Sequence, residues 1–360
     1  MGLNELMKLR DHHYTHAELE VSDIQRREIA FAYKSDYPAI KGRAYYFQNV
    51  EDMREHILRK PTIVAAYAST TYYLDPNMRA NSKRGFLGYD LVFDIDMPYT
   101  DEFPNRVEWM HEVCYRTSHL IEVLTNDLGF DQDTMKLSFS GSKGFHIIID
   151  DKQYRSMPIP ERTQLCNYII GKGLIRRNVK KGKGGWNKKY SRYIDRLISL
   201  MTDSVDNNEK ILLSMGFAKT NAKKISGLMS DNTKRAAFSQ GHLEWLDAKL
   251  SKALVDSFYK QESSIFDNGV LDIGVTVDKH RVFRFPGTIH PAYGFVATNL
   301  ELSDLDDPSI VFDKVKQAGG VELVEITLDH DAIEDFEVRK HWTAGTHTIP
   351  RWLALHLLHQ

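Results

Sequence analysis

Hydrophobic positions change texture along this chain. Before about 155 and after about 262 short, β-prone runs alternate with helical stretches, and between them only helical spacing recurs. The first half predicts a helix over 4–34 carrying Leu6, Leu9, Ile24, Ile29 and Phe31, and then a strand at 43–47. A helix over 51–59 and a strand at 62–67 follow. The run Tyr89-Asp90-Leu91-Val92-Phe93-Asp94-Ile95-Asp96 reads as a buried strand stopped by Pro98. An amphipathic helix is expected over 105–128, ending near Gly129. Two apolar strands then flank a tight turn between Lys136 and Asp150. From about 155 to 262 strand signals vanish, and helices are predicted at 192–203, 206–228 and 242–260. Strand texture returns at 270–278. Arg281 and Arg284 are spaced as on one face of a helical turn, which Pro286-Gly287 breaks before His290. The tail, 349–358, reads as a closing helix with Pro350 in its first turn.

This pattern places chemistry at two turns. Alternate side chains of a strand share a face, so Asp94 and Asp96 point the same way at a strand end. Two carboxylates held together repel, and a hard divalent cation such as Mg²⁺ or Mn²⁺ is the usual remedy. A lone D-x-D motif equally describes two solvated acids. The second turn, Ser140-Gly141-Ser142-Lys143-Gly144-Phe145-His146, has glycines that allow close backbone approach and a lysine beside free N–H groups. That suits a phosphate, although an ordinary polar hairpin would look the same. His146 reads either as a ligand contact or as a satisfied core histidine. Within the helical stretch, nine basic residues (Lys172, Arg176, Arg177, Lys180, Lys181, Lys183, Lys188, Lys189 and Arg192) run without an acid, with Trp186 and Tyr190 as possible stacking faces. Such a run is either a solvated loop or a contact for single-stranded nucleic acid.

Composition narrows the classes. At 360 residues, 42% hydrophobic and 27% charged, the composition is ordinary for a soluble globular protein, and one large or two medium domains are expected. No apolar run approaches the roughly 18 residues of a membrane span. The N-terminus has neither a basic-then-apolar signal pattern nor, with Leu6, a myristoylation motif. Two cysteines, Cys114 and Cys166, suit a reducing interior. With a net charge of −2, any polyanion must be held by local patches.

Three stretches in order, F-D-I-D at 93–96, S-G-S-K-G-F-H at 140–146 and D-I-G-V-T-V-D…R-F-P-G-T-I-H across 272–290, resemble the catalytic small subunit of archaeo-eukaryotic primases. The resemblance extends from Arg27-Glu28 to Pro350-Arg351-Trp352-Leu353-Ala354. It implies an α/β (α+β) fold: a single primase domain whose mixed-sheet catalytic core, 1–154 and 263–360, carries a helical insert at about 155–262. It implies a nucleotidyltransferase that makes short primers on a single-stranded DNA template during replication. Asp94, Asp96 and Asp272 would hold two Mg²⁺ or Mn²⁺ ions. Ser140, Lys143 and His146 would form the triphosphate turn. Arg284, where a lysine is common, and His290 would hold the incoming nucleotide, and Glu28 and Arg43 would complete the site. Asp278, at even spacing from Asp272 on the expected strand, is the likeliest false lead.

The resemblance also implies partners: a large, iron–sulfur-bearing subunit, single-stranded DNA and nucleoside triphosphates, with no membrane. The location would be the nucleoid of an archaeal cytoplasm or a eukaryotic nucleus. Many members carry a structural zinc site, but His111, Cys114 and His119, with Cys166 distant, fall short of four ligands. Zinc is the less favoured expectation, and packing of the 100–120 segment would have to replace it. Two rivals are a repair or extension polymerase of the same superfamily and an inactive scaffold that binds single strands. Retention of the three acids, Lys143, Arg284 and both histidines disfavours the scaffold.

Overall fold

The computed structural model describes residues 2–78, 83–240, 246–266, 269–336 and 339–359. In chain order the first half runs α1 (Gly2–His16), β1 (Arg27–Tyr33), β2 (Gly42–Tyr45), α2 (Val50–Arg59), β3 (Ile63–Tyr73), β4 (Phe86–Tyr89), β5 (Leu91–Asp96), α3 (Arg106–Glu122), β6 (Met135–Phe139), β7 (Gly144–Ile149) and α4 (Ile159–Ile169). Next come α5 (Gly185–Leu200), α6 (Val205–Ser214), α7 (Lys219–Met229), α8 (Asn232–Ser239) and α9 (Ala248–Ser264). The chain closes with α10 (Ile273–Val277), β8 (Val282–Phe283), β9 (Thr298–Leu300), α11 (Pro308–Gly319), β10 (Leu323–Leu328), β11 (Ala332–Glu334), β12 (Lys340–Trp342), β13 (Gly345–Pro350) and α12 (Arg351–Leu358). This is the α+β fold the sequence implied. Two compact units emerge: residues 1–121, 130–164 and 269–360, and residues 122–129 and 165–268.

The first unit holds the sheets. One runs β2-β1-β3-β4 with β8 also pairing to β3; another runs β5-β7-β6-β9, antiparallel throughout. The expected helix over 4–34 stops at His16, and Arg27–Tyr33 is a strand. The cause is burial on both faces. Ile29 and Phe31 enter one hydrophobic cluster, while Ala30 and Ala32 enter another, which only a period of two achieves. The expected strand at 89–96 is two strands in different sheets. Asp90 is the joint between them: its carboxylate accepts from Arg27 Nη2 at 2.6 Å and from the Tyr72 hydroxyl at 2.8 Å, all three groups being buried. The helix expected over 105–128 is α-helical from Arg106 to Glu122 and continues in a wider π turn to Asp127. Within α3, Cys114 is buried, as are Trp109, Met110 and Val113, and burial pushes its thiol up to about 12.

The second unit is helical. Its core is an α5 stripe, Trp186, Tyr190, Ile194 and Leu197, packed with Leu212, Ile225, Phe238, Leu254 and Phe258. The helix expected over 206–228 is broken at Gly216, whose φ of 81° lies in the left-handed region, giving α6 and α7. The first residues of the one expected at 242–260 lie outside the described residues, and α9 begins at Ala248. Trp186 and Tyr190 are core side chains rather than stacking faces, with Phe258 edge-on to both.

Removing one partner of a buried ion pair strands the other charge, at a cost of about 3–5 kcal/mol. Asp90→Ala leaves Arg27 in that position and should lower the urea-unfolding free energy by that amount.

Candidate active site

β5 is the edge of its sheet, and the open edge is taken up by the segment before α10. Asp96 N donates to Val270 O at 2.8 Å, Asp272 N donates to Asp94 O at 2.9 Å, and Ile95 bridges Leu271 in antiparallel fashion. That register sets Asp272 opposite Asp94. On the other side of β5, Asp94 pairs with His146 and Asp96 with Gly144. Since Asp94 and Asp96 share a face, all three carboxylates and His146 meet on one side of the sheet.

The strand expected over 270–278 is limited to that bridge. Asp272 accepts from Gly274 N at 2.8 Å and so caps α10, a local bond that outweighs the β preference of Ile273, Val275 and Val277. Thr276 then ties the helix to β5 by donating to Val92 O at 2.7 Å. Asp278 ends the helix and accepts from His280 N, so it does not share a strand face with Asp272.

Arg281 and Arg284 also depart from the expected helical turn, because Val282–Phe283 is extended and pairs with β3. Three residues apart on an extended chain, the two guanidiniums diverge. Arg281 Nη2 lies 3.9 Å from the Asp272 carboxylate, and Arg284 Nε donates to Ser140 O at 2.9 Å. Arg281 is a site residue that the sequence showed only as a companion of Arg284.

The Ser140–Gly144 turn is clamped from two sides. Ser140 N donates to Gly144 O at 2.8 Å, Gly144 N to Ser140 Oγ at 3.3 Å, and Met97 N to Lys143 O at 2.9 Å. Glycine is required at two points. A Cβ on Gly144 would lie 1.6 Å from Ile95 O. Gly141 has φ 81°, and its Cβ would lie 3.1 Å from Phe295 O and 3.4 Å from His290 Cβ. The turn therefore sits against both the carboxylate strand and His290.

Burial raises the pKa of Asp94 well above the usual carboxylate range. Asp96 and Asp272 push it the same way, against Arg284 and Arg281. Its Oδ1 is buried without a hydrogen-bond partner; His146 Nε2 is 3.6 Å away, beyond bonding distance. Burial, with help from Asp272, also raises Asp96, against Lys143 and Arg284. Burial and the nearby Arg284 hold the His146 imidazole down to about 3, and burial with Arg284, His359 and Lys143 lowers His290 strongly. Both rings are neutral at physiological pH. His290 Nδ1 accepts from Ala292 N at 3.1 Å, which puts the ring proton on Nε2.

Glu28 and Arg43 pair with each other on β1 and β2. The Glu28 carboxylate also accepts from Arg84 Nη1 at 2.6 Å and from Ala44 N at 3.2 Å. Burial raises its pKa, but bonds to Arg43 and Arg84 outweigh it and leave it lowered. Arg43 Nη2 donates to His280 O at 3.2 Å, so this pair reaches the carboxylates through the 278–281 segment. Arg84, a second residue the sequence did not single out, is the buried partner that holds Glu28 ionised.

The stretch from Phe93 to Leu302 matches the family model for the DNA primase small subunit. Among curated proteins, the DNA primase small subunit of Methanospirillum hungatei is 27% identical over 310 residues, covering 82% of this chain and 79% of its own. That of Picrophilus torridus is 26% identical over 348 residues, covering 93% and 90%. That of Methanococcoides burtonii is 26% identical over 322 residues, covering 81% and 80%. The matched stretch takes in more than half of the chain, and with it the carboxylates, the glycine turn and Arg284 through His290. The protein belongs to the DNA primase small subunit family.

Proposed function

We propose that this chain is a catalytic subunit that joins nucleoside triphosphates into short primers on a single-stranded DNA template. The observation that carries the reading is the buried, unpartnered Asp94 Oδ1 among three carboxylates, with Lys143 and Arg284 beside them. Carboxylate oxygens clustered in this way suit hard divalent cations, and Asp94, Asp96 and Asp272 would hold Mg²⁺ or Mn²⁺. Bound there, such ions supply activation of the primer hydroxyl and neutralisation of the pyrophosphate.

The chain's own groups divide the remaining work. Lys143 and Arg284 set positive charge against the triphosphate, and the Ser140–Gly144 turn brings its backbone close. His290 and His146, being neutral, contribute as hydrogen-bonding groups rather than as cations. Arg281 steadies Asp272 from its outer side. Glu28, with Arg43 and Arg84, fixes the 278–281 segment from which Arg281 projects. A large subunit is the partner that the relatives' name suggests for this chain, and the nucleoid is the place of work that fits their archaeal sources.

The direct test is label incorporation on bare single-stranded DNA with added Mg²⁺ or Mn²⁺, with and without an annealed primer. Product without a primer supports the reading, and product only with one points to an extension polymerase.

Two further outcomes are expected. Asp94 binds its proton more tightly folded than unfolded, so metal-free stability falls as pH rises from about 4 through its raised pKa. Asp94→Asn should therefore abolish synthesis yet raise the metal-free melting temperature at about pH 8, with the gain shrinking toward pH 4. Each pKa unit corresponds to about 1.4 kcal/mol. Differential scanning fluorimetry checks this, and Mn²⁺ should stabilise the parent more than the variant.

Charge-assisted contacts are worth roughly 1.5–3 kcal/mol, or about one to two decades in affinity. Arg284→Ala should raise the nucleotide KM by that factor. His290→Ala removes a neutral donor and should raise it by about tenfold or less. Single-strand affinity should stay unchanged in both. Steady-state kinetics and filter binding separate the two quantities.

A further inference from the structure

Residues 165–268 carry nineteen lysines and arginines against ten acids, in a chain whose net charge is −2. The run at 172–192 is only part of that excess, and four of its nine cations meet acids. Arg176 meets Asp256, Lys181 meets Asp195 and Arg192 meets Glu122. Lys189 is buried between Asp127 and Glu262.

A second set of cations is arranged differently. Lys249, Lys252 and Lys260 on α9 are exposed and form no ion pair among the described residues. With Ala253, Asp256 and Ser257 they follow helical spacing and share one face of α9. That face is one wall of a cleft of about 350 Å³, and Gly216–Ala218 and Asn221 form the other. The acid on this wall, Asp256, accepts from Arg176 Nη1 at 3.2 Å and is ion-paired there. The first turn of α7 opens at the same place, and Ala218 offers no side-chain cap to its N–H groups.

From Lys249 to Lys260 the helix rises about 16 Å. A nucleic-acid strand presents a phosphate about every 3.4 Å of duplex rise, so the stripe faces several in succession, whereas a single phosphate would use only one end. Phe217, the aromatic residue in the lining, is buried, which leaves no ring in the wall for a base to stack on. We propose that this cleft binds the phosphodiester backbone of the single strand on which the enzyme works, without regard to sequence. The proposal rests on the primer-synthesis reading.

The test uses the full chain with Lys249→Gln, Lys252→Gln and Lys260→Gln combined. Oligo(dT) affinity is measured across a salt series. Three lost phosphate contacts should lower the log–log salt slope by about 2, at about 0.7 per contact. Arginine at the same three positions should restore the slope, and melting should be unchanged because all three side chains are exposed. An unchanged slope in the glutamine variant overturns the proposal. A raised nucleotide KM with an unchanged slope also overturns it, and assigns the cleft to free triphosphate. Failure of the parent reading looks different: a wild-type chain that makes no primers while the slope still falls leaves the cleft standing as a strand-binding site.

Discussion

Three carboxylates on one face of a sheet edge constrain everything near them. Asp94 is buried, and backbone bonds set Asp272 opposite it, with the Asp272 carboxylate held by Gly274 N. The neighbourhood is built to tolerate this. Arg284 and Arg281 approach from one segment, and the backbone that carries Lys143 is hydrogen-bonded to the end of β5 through Met97 N. Gly144 lets the turn close over β5 where any side chain would strike Ile95 O. The carboxylates are thus held together against their mutual repulsion, at a cost that burial increases.

The same electrostatics divides labour among residues that look alike in sequence. Lys143, Arg284, His146 and His290 form a set of basic side chains on paper. In place, burial and Arg284 keep both imidazoles neutral, so positive charge comes from Lys143 and the arginines alone. A protonated histidine would share a small volume with two fixed cations. A neutral ring donates one directed hydrogen bond instead, and for His290 the Ala292 N–H decides which nitrogen that is.

Legibility followed the range of the forces involved. The strand bearing Asp94 and Asp96 and the glycine turn were readable because period-two burial and tight-turn chemistry are local. The assignment of Arg27–Tyr33 to a helix failed because its alternation is satisfied only by two separate clusters contributed from elsewhere in the chain. The assignment of 270–278 to a strand failed for the opposite reason: one short-range bond, from Gly274 N to Asp272, overrode β-branched propensity. Arg281 and Arg84 were invisible as site residues because their meaning lies in partners more than a few residues away, Asp272 and Glu28. Trp186 and Tyr190 misled because an aromatic beside lysines reads the same whether it faces solvent or core.

Outside residues 165–268 the chain has 28 basic residues against 39 acids. A polyanion gains nothing from that balance, and a strand drawn to the carboxylates alone would be repelled. The cations at the site, Lys143 and Arg284, lie beside the carboxylates and offset part of their charge. A protein with such a core must recruit its polyanionic substrate through charge placed elsewhere, and the helical segment is where the excess lies. Four of the nine cations of the 172–192 run are drawn toward acids, and Lys189 among them is buried. Among the described residues, Lys249, Lys252 and Lys260 are exposed, form no ion pair and share one face of α9, which makes that stripe a physically economical place for backbone attraction to act.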